Sequence, residues 1–263
     1  MSDELPRMMR AARIHRYGGP EELVVEQAPL PSVGRKQLLI RVHAAAVNPI
    51  DWKIRGGAQR AIIRLKLPFI LGMDLSGVVV AVGPEVQGFS VGDEVYSSPH
   101  HKTQGCYAEY VAVTASEVAR RPLSISHVEA AGVPMVGLTA WRCLVTAGRL
   151  KAGQKVVITA GAGGVGSIAI QIAKALGAHV ATTCSERNRE YVESLGADEV
   201  IDYRTQRVDE VLSGYDLALD VYGGADTLRL RRVLERGGRL VTITGDLPRL
   251  AKRYGAVLGV AAM

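Results

Sequence analysis

The rhythm of apolar and polar residues changes near the middle of this chain. Between Ala11 and about Val113 the apolar positions come in short runs: Leu23 to Glu26, Gln37 to Ala45, Leu75 to Val82, Asp93 to Tyr96 and Tyr107 to Val113. Gly18-Gly19-Pro20, Pro31-Ser32-Val33-Gly34, Gly56-Gly57, Gly83-Pro84 and Gly92-Asp93 punctuate them. Short strands separated by turn residues predict a partly open β-barrel. From Ser126 onward strand and helix patterns alternate: Val156 to Thr159, Ser167 to Leu176, His179 to Thr183, Glu186 to Leu195, Glu199 to Ile201, Leu217 to Val221, Thr227 to Glu235 and Arg239 to Thr244. Parallel strands joined by helices predict a doubly wound sheet. The boundary falls between Leu123 and Glu129, giving domains 1–125 and 126–263.

The turn Gly161-Ala162-Gly163-Gly164-Val165-Gly166 joins the first of these strands to a helix on which Ile168, Ile170, Ile172, Ala173 and Leu176 form a broad apolar face. A dinucleotide site needs that order. One glycine permits a tight turn, one lets the backbone approach a pyrophosphate, and one lets helix and strand pack closely, with the phosphates at the positive helix N-terminus. Gly161, Gly163, Gly164, Val165 and Gly166 are the candidate cradle.

NAD-selective folds carry an acid roughly 20 residues beyond such a motif, where it binds both ribose hydroxyls. In this chain Ser185 stands there. A hydroxyl leaves room for a 2′-phosphate, and Arg187 and Arg189 add positive charge, so NADPH is expected over NADH. Glu186 argues the other way, although the first turn of a helix attracts a carboxylate by itself. Ser185 also reads as the N-cap of the helix that follows.

Composition narrows the class. Of 263 residues, 48% are hydrophobic and 22% charged. No uninterrupted apolar run reaches the roughly 18 residues of a membrane span. The segment Met1-Ser2-Asp3-Glu4-Leu5-Pro6 lacks the apolar core of a signal peptide, so a cytoplasmic protein is expected. Cys106, Cys143 and Cys184 are too widely spaced for a metal knuckle or a disulfide framework. The net charge of +6 and the basic residues between Arg229 and Arg253 raise the question of nucleic acid. Those residues alternate with apolar ones, which predicts a solvated helix face and no such partner. The adjacent pair His100 and His101 has no further residue at ligand spacing and reads as a loop.

Several further segments are similar to one family. They are Ala46-Val47-Asn48-Pro49-Ile50-Asp51-Trp52-Lys53, Leu71-Gly72-Met73-Asp74-Leu75-Ser76-Gly77, Val91-Gly92-Asp93-Glu94-Val95, Gly105-Cys106-Tyr107-Ala108-Glu109-Tyr110, Gly137-Leu138-Thr139-Ala140-Trp141 and Ser194-Leu195-Gly196-Ala197-Asp198. Together with the glycine turn, the chain resembles the medium-chain dehydrogenase/reductase superfamily and its zinc-free quinone oxidoreductase-like branch. The resemblance implies a GroES-like N-terminal catalytic domain followed by a Rossmann NADP-binding domain, substrate held between them, and a homodimer.

Zinc-dependent relatives carry a cysteine where this chain has Val47-Asn48-Pro49-Ile50-Asp51, and Gly-His-Glu where it has Gly72-Met73-Asp74. Asn48 and Met73 replace neither thiolate nor imidazole, so no metal is expected. Without a Lewis acid, the expected acceptor is activated already: a quinone or an α,β-unsaturated carbonyl, whose oxygen takes up the charge of an added hydride. The resemblance puts Asn48 near nicotinamide and substrate as a hydrogen-bond donor. Asp51 and Lys53 follow on the same segment, read as a surface loop, where Lys53 could donate to an enolate oxygen or relay a proton. Relatives often carry tyrosine there, and water is the other proton source. Thr139 matches a residue packed by the nicotinamide, and Tyr203 a tyrosine packed against the 2′-phosphate.

Relatives continue past the position of Met263, and Tyr254 to Met263 resembles the last Rossmann strand. A missing C-terminal return segment would expose apolar surface. A dinucleotide-binding scaffold or regulator without turnover is therefore the alternative from another class, and a zinc alcohol dehydrogenase is a third that Asn48 and Met73 oppose.

Overall fold

The computed structural model describes residues 5–58, 60, 64–100, 103, 105–243 and 258–259. The chain divides into two compact units, the first running to Met135 and the second starting at Val136.

The first unit contains β1 (Met8–Ile14), β2 (Val24–Pro29), β3 (Gln37–Ala46), α1 (Pro49–Arg55), β4 (Phe69–Ile70), β5 (Asp74–Val82), β6 (Glu94–Ser97), β7 (Tyr110–Thr114), β8 (Val118–Arg120) and α2 (His127–Ala131). Five strands pair antiparallel in the order β7-β3-β5-β6-β8, and three in the order β2-β1-β4. Alternation explains the larger sheet: Leu38, Ile40, Leu75, Val79 and Val95 turn inward into one apolar cluster with Val111 and Val113. At Gly77 a Cβ would lie 2.1 Å from the Arg41 carbonyl oxygen, so only glycine lets β5 approach β3 there.

The sequence pattern assigns Ser126 onward to the second domain, but α2 packs on the first unit's strands. Ser126 caps it: Glu129 N–H donates to the Ser126 hydroxyl at 3.3 Å, and the Ser126 N–H donates back to the Glu129 carboxylate at 2.7 Å. His127 Nδ1 then meets Ser76 Oγ of β5 at 2.7 Å, with the His43 ring of β3 4.5 Å away. A half-buried polar contact outweighs the change of rhythm.

The boundary between the units lies within α3 (Pro134–Trp141). Beyond it come a π-helical turn, Arg142–Ala147, and then β9 (Lys155–Ile158), α4 (Gly164–Ala175), β10 (His179–Cys184), α5 (Arg189–Ser194), β11 (Glu199–Asp202), α6 (Val208–Val211), β12 (Tyr215–Asp220), α7 (Ala225–Val233), β13 (Leu234–Thr242) and β14 (Leu258–Gly259). All pairings are parallel, in the order β11-β10-β9-β12-β13-β14. That is the doubly wound order, reversing direction beside β9. Val156, Val157 and Ile158 are wholly buried because helices cover both faces of the sheet. The expected fold class is observed: a GroES-like β unit followed by a Rossmann sheet.

Several elements are not predicted by the sequence pattern, among them β1, β4, β8 and α6. β1 carries arginine at two of its seven positions, β4 and β8 are very short, and α6 is a single turn. Ser185 departs from its reading as a helix cap. A 3-10 turn, Glu186–Asn188, intervenes before α5, and the Ser185 hydroxyl caps no backbone amide. On α7, Leu230 and Val233 are buried while Arg232 pairs with Asp209 at 2.9 Å; Arg249, Lys252 and Arg253 lie outside the described residues. So does most of Tyr254 to Met263, although Leu258 and Gly259 pair with Val241 and Thr242. The three cysteines are free and buried, and burial pushes each thiol above its usual value, Cys143 to about 11.

Candidate active site

In the second unit, β9 ends into a turn whose tightest residue is not a glycine. Ala160 takes φ 53°, while none of the four motif glycines is left-handed. The glycines answer to space instead. A Cβ on Gly161 would lie 2.1 Å from Thr182 Oγ1 of β10, and one on Gly166 would lie 2.2 Å from the Ala160 carbonyl oxygen. Gly163 is the N-cap of the twelve-residue α4, and Gly164 would meet Val136 at 3.1 Å. The cradle therefore stays open, and the first-turn amides, led by Gly164, Val165 and Gly166, have no carbonyl within their own helix. Such amides at a positive helix end fit a pyrophosphate. Thr139 is buried on α3, one turn beyond Val136.

Ser185 and Tyr203 follow the carboxyl ends of neighbouring strands, and the Tyr203 N–H donates to the Cys184 carbonyl at 3.2 Å. The Ser185 hydroxyl is buried and accepts from Asn188 Nδ2 at 3.4 Å, whereas the Tyr203 ring is 54% exposed. Arg187 is exposed and has no hydrogen-bond or ion-pair partner among the described residues. Arg189 is engaged instead, pairing with Glu186 at 2.8 Å and Glu193 at 3.6 Å. Glu186, the acid that argued for NADH, is thus neutralised. Arg204, to which the sequence assigns no role, stacks its guanidinium 5.8 Å from the centre of the Tyr203 ring. Its only sequence signal is adjacency to Tyr203.

Asp220, at the end of β12, is a further residue that sequence reasoning missed. It accepts from Thr159 Oγ1 (3.3 Å), Gly223 N–H (2.7 Å), Thr227 Oγ1 (2.5 Å) and Thr242 Oγ1 (3.2 Å). The ends of β9, β12 and β13 are thereby tied to the loop after β12.

In the first unit, Asn48 starts not a loop but a helix. Pro49 at the first helical position favours the turn, and the Asp51 carboxylate accepts the Asn48 N–H at 2.7 Å. Asn48 is 6% exposed, and its Nδ2 donates to Asp74 Oδ2 at 2.9 Å. Asp74 is wholly buried, and its Oδ1 accepts the Met135 N–H at 2.9 Å. Asp51 is buried as well: Oδ2 also accepts from the Tyr107 hydroxyl at 2.8 Å, and Oδ1 is buried without a partner among the described residues. Burial, with a contribution from the Asp51 charge, drives the Asp74 carboxyl up to about 7; burial also raises Asp51, against its two hydrogen bonds. Lys53 is not brought into this group. It is exposed on α1, its Nζ 5.6 Å from the centre of the Trp52 ring. At the other end of α1, Tyr17, Arg60, Arg64, Leu65 and Leu67 line a cavity of about 630 Å³.

A zinc ion does not suit the first unit's donor set. The Asn48 amide is committed to Asp74, and the Met73 side chain is packed with Ile14, Ile54 and Leu71. Among the described residues no three His, Cys, Asp or Glu side chains are placed to hold a metal ion. His100 forms a turn with Thr103, while His101 lies outside the described residues. Nor does any described helix have the length and apolarity to cross a membrane.

Residues 34–123 match the alcohol dehydrogenase GroES-like domain and residues 164–255 the zinc-binding dehydrogenase domain. A mitochondrial NAD(P)H oxidoreductase of Danio rerio is 39% identical over 96% of this chain and 71% of its own length. A chloroplastic NADPH-dependent alkenal/one oxidoreductase of Arabidopsis thaliana is 38% identical, over 92% of this chain and 64% of its own. The quinone oxidoreductase of Coxiella burnetii superposes with a TM-score of 0.88 at 32% identity, covering 97% of this chain and 83% of that one.

Proposed function

The chain belongs to the medium-chain dehydrogenase/reductase superfamily, in its quinone oxidoreductase-like branch, and from that premise we propose that it transfers hydride from NADPH to a quinone or an α,β-unsaturated carbonyl without a metal. The observation that carries the reading is Asn48, buried and held by Asp74 where a zinc enzyme needs a thiolate. The named acceptors of the Arabidopsis and Coxiella relatives support the substrate class.

When bound, the dinucleotide supplies the hydride. Gly161, Gly163, Gly164, Val165 and Gly166 would hold its pyrophosphate, and Thr139 would pack by its nicotinamide. Ser185, Tyr203, Arg187 and Arg204 would receive a 2′-phosphate, a dianion suited to the exposed Arg187 guanidinium and to that of Arg204 stacked on the Tyr203 ring. At the acceptor, Asn48 donates a hydrogen bond to the carbonyl oxygen as negative charge develops there, an interaction stronger in the transition state than in the ground state. Asp51 fixes the Asn48 backbone. Lys53, facing solvent, leaves water as the proton source for the reduced product. A cytoplasmic setting fits three unbridged cysteines, and a homodimer is part of the same proposal.

Initial rates of NADPH oxidation with a panel of quinones, enals and enones test this. Wild type should turn over, with kcat/KM at least tenfold lower for NADH. Asn48→Ala should lose about 10²-fold in kcat, the scale of one oxyanion donor, at unchanged NADPH affinity. No oxidation with any acceptor, alongside intact NADPH binding, would leave the non-enzymatic scaffold as the better reading.

A further inference from the structure

We infer that the cavity at the C-terminal end of α1 is a binding site for a single-chain amphipathic anion, a carboxylate carried on an apolar chain. Tyr17 reaches this end of α1 because the Gly18 N–H donates to the Arg55 carbonyl at 3.0 Å, and a Cβ on Gly57 would lie 3.5 Å from the Tyr17 ring. Seven residues of helix separate it from Asn48, a length of about 10 Å. The site is therefore separate from the Asn48 cluster.

Its walls are of two kinds. Leu65 and Leu67 give an apolar side that packs on Ile14, Ile54 and Leu71, while Arg60 and Arg64 give positive charge. From Trp52 to Met73 the chain carries Lys53, Arg55, Arg60, Arg64 and Lys66 and no aspartate or glutamate. The acids of the Tyr17 loop are engaged within it: Glu22 pairs with Arg16 at 2.8 Å, and Glu21 accepts the Gly19 N–H at 3.0 Å. Neither the Arg60 nor the Arg64 side chain has an ion pair or a hydrogen bond among the described residues.

The donors left over define the ligand. Arg60 lays its guanidinium 5.3 Å from the centre of the Tyr17 ring, a contact that uses the flat face and leaves the N–H edge to donate. The Tyr17 hydroxyl accepts the Leu65 N–H at 3.1 Å, so its own hydrogen is available as well. Two guanidiniums and a phenol call for a group that only accepts, and the fork of an arginine matches both oxygens of a carboxylate. The leucine wall calls for an apolar chain behind it, and about 630 Å³ is the size of an ordinary ligand pocket. Guanidiniums keep their charge at every working pH, so the site needs no titration to operate.

Calorimetric titration of the whole chain with decanoate tests this, with acetate and decanol as the head and the tail alone. Decanoate should bind at least tenfold more tightly than either, with the same affinity from pH 6 to 9. Replacing both arginines, Arg60→Gln with Arg64→Gln, should weaken decanoate about tenfold or more, the scale of one charge-assisted hydrogen bond, with the melting temperature and NADPH affinity unchanged. Tyr17→Phe keeps the ring beneath Arg60 and should weaken decanoate about threefold, a smaller loss because a neutral donor is removed. No decanoate binding overturns the inference without any variant, as does decanol binding as tightly as decanoate. A folded double arginine variant with wild-type affinity overturns it too. Because the readout is binding, none of these outcomes depends on whether the protein reduces an enone.

Discussion

Each unit of this protein buries carboxylates at the edge of its candidate site, and the two sets are treated in opposite ways. Asp220 in the Rossmann unit receives four donors from four segments. Asp74 in the GroES-like unit accepts from the Asn48 amide and the Met135 N–H with the Ser98 hydroxyl beside it, Asp51 lies near enough to repel it, and one Asp51 oxygen has no partner among the described residues. A buried carboxyl that meets four donors ties their segments together, whereas burial with fewer donors raises Asp74 and Asp51 above the usual carboxylate range. The difference separates a carboxylate that builds a loop from carboxylates that can take part in chemistry.

The sharpest test of the rigid side is the cradle. Gly166→Ala puts a Cβ against backbone, the Ala160 carbonyl oxygen, which cannot rotate away. NADPH binding should fall by at least 100-fold and thermal stability by about 3 kcal/mol, the upper range for overpacking; calorimetric titration and melting curves with and without NADPH check both. Next, Asp220→Ala removes the acceptor of four buried donors and should cost about 3 kcal/mol or more in urea unfolding, since unmet polar groups cost about 1–3 kcal/mol each. A loss below about 1 kcal/mol would mean that Asp220 is not the fixed point described here.

On the other side, Asp74 is raised above its unfolded value of 3.8, so between about pH 4 and 7 the folded state holds a proton that the unfolded state has released. Its contribution is therefore most favourable below about 4 and is lost as pH rises through 7. At about 1.4 kcal/mol per unit, this amounts to a few kcal/mol, reinforced in sign by Asp51. Asp74→Asn should flatten urea-derived stability against pH across this window. The smallest effect belongs to the turn: Ala160→Gly relieves a left-handed alanine, and should stabilise by about 1 kcal/mol at most, read as a rise in melting temperature.

The same contrast explains what could be read from the sequence. The cradle is contiguous, and its constraints are backbone constraints, so the run from Gly161 to Gly166 announces itself. Even there the reason is displaced: the glycines avoid Thr182 and a carbonyl, and the strained residue is Ala160. The acidic cluster is assembled from Asn48, Asp51, Asp74, Tyr107 and Met135, which meet only once β5, α1 and the start of α3 are in place. Asn48 and Asp51 stand out by resemblance, but nothing local tells Asp74 that its partner is 26 residues away. Lys53 shows the converse. Read as a loop residue beside Asp51, it lies on a helix whose geometry turns it to solvent. Arg204 escaped notice because its stacking on the Tyr203 ring is a contact that only the folded chain displays.

The burial of the three cysteines has a consequence for chemical durability. Enals and enones alkylate thiolates, so a protein that concentrates such electrophiles risks covalent damage with every encounter. Cys106, Cys143 and Cys184 are withdrawn from solvent, and their raised thiol pKa values keep the nucleophilic form scarce. The fold thereby gives the chain tolerance of the reagents it is proposed to consume.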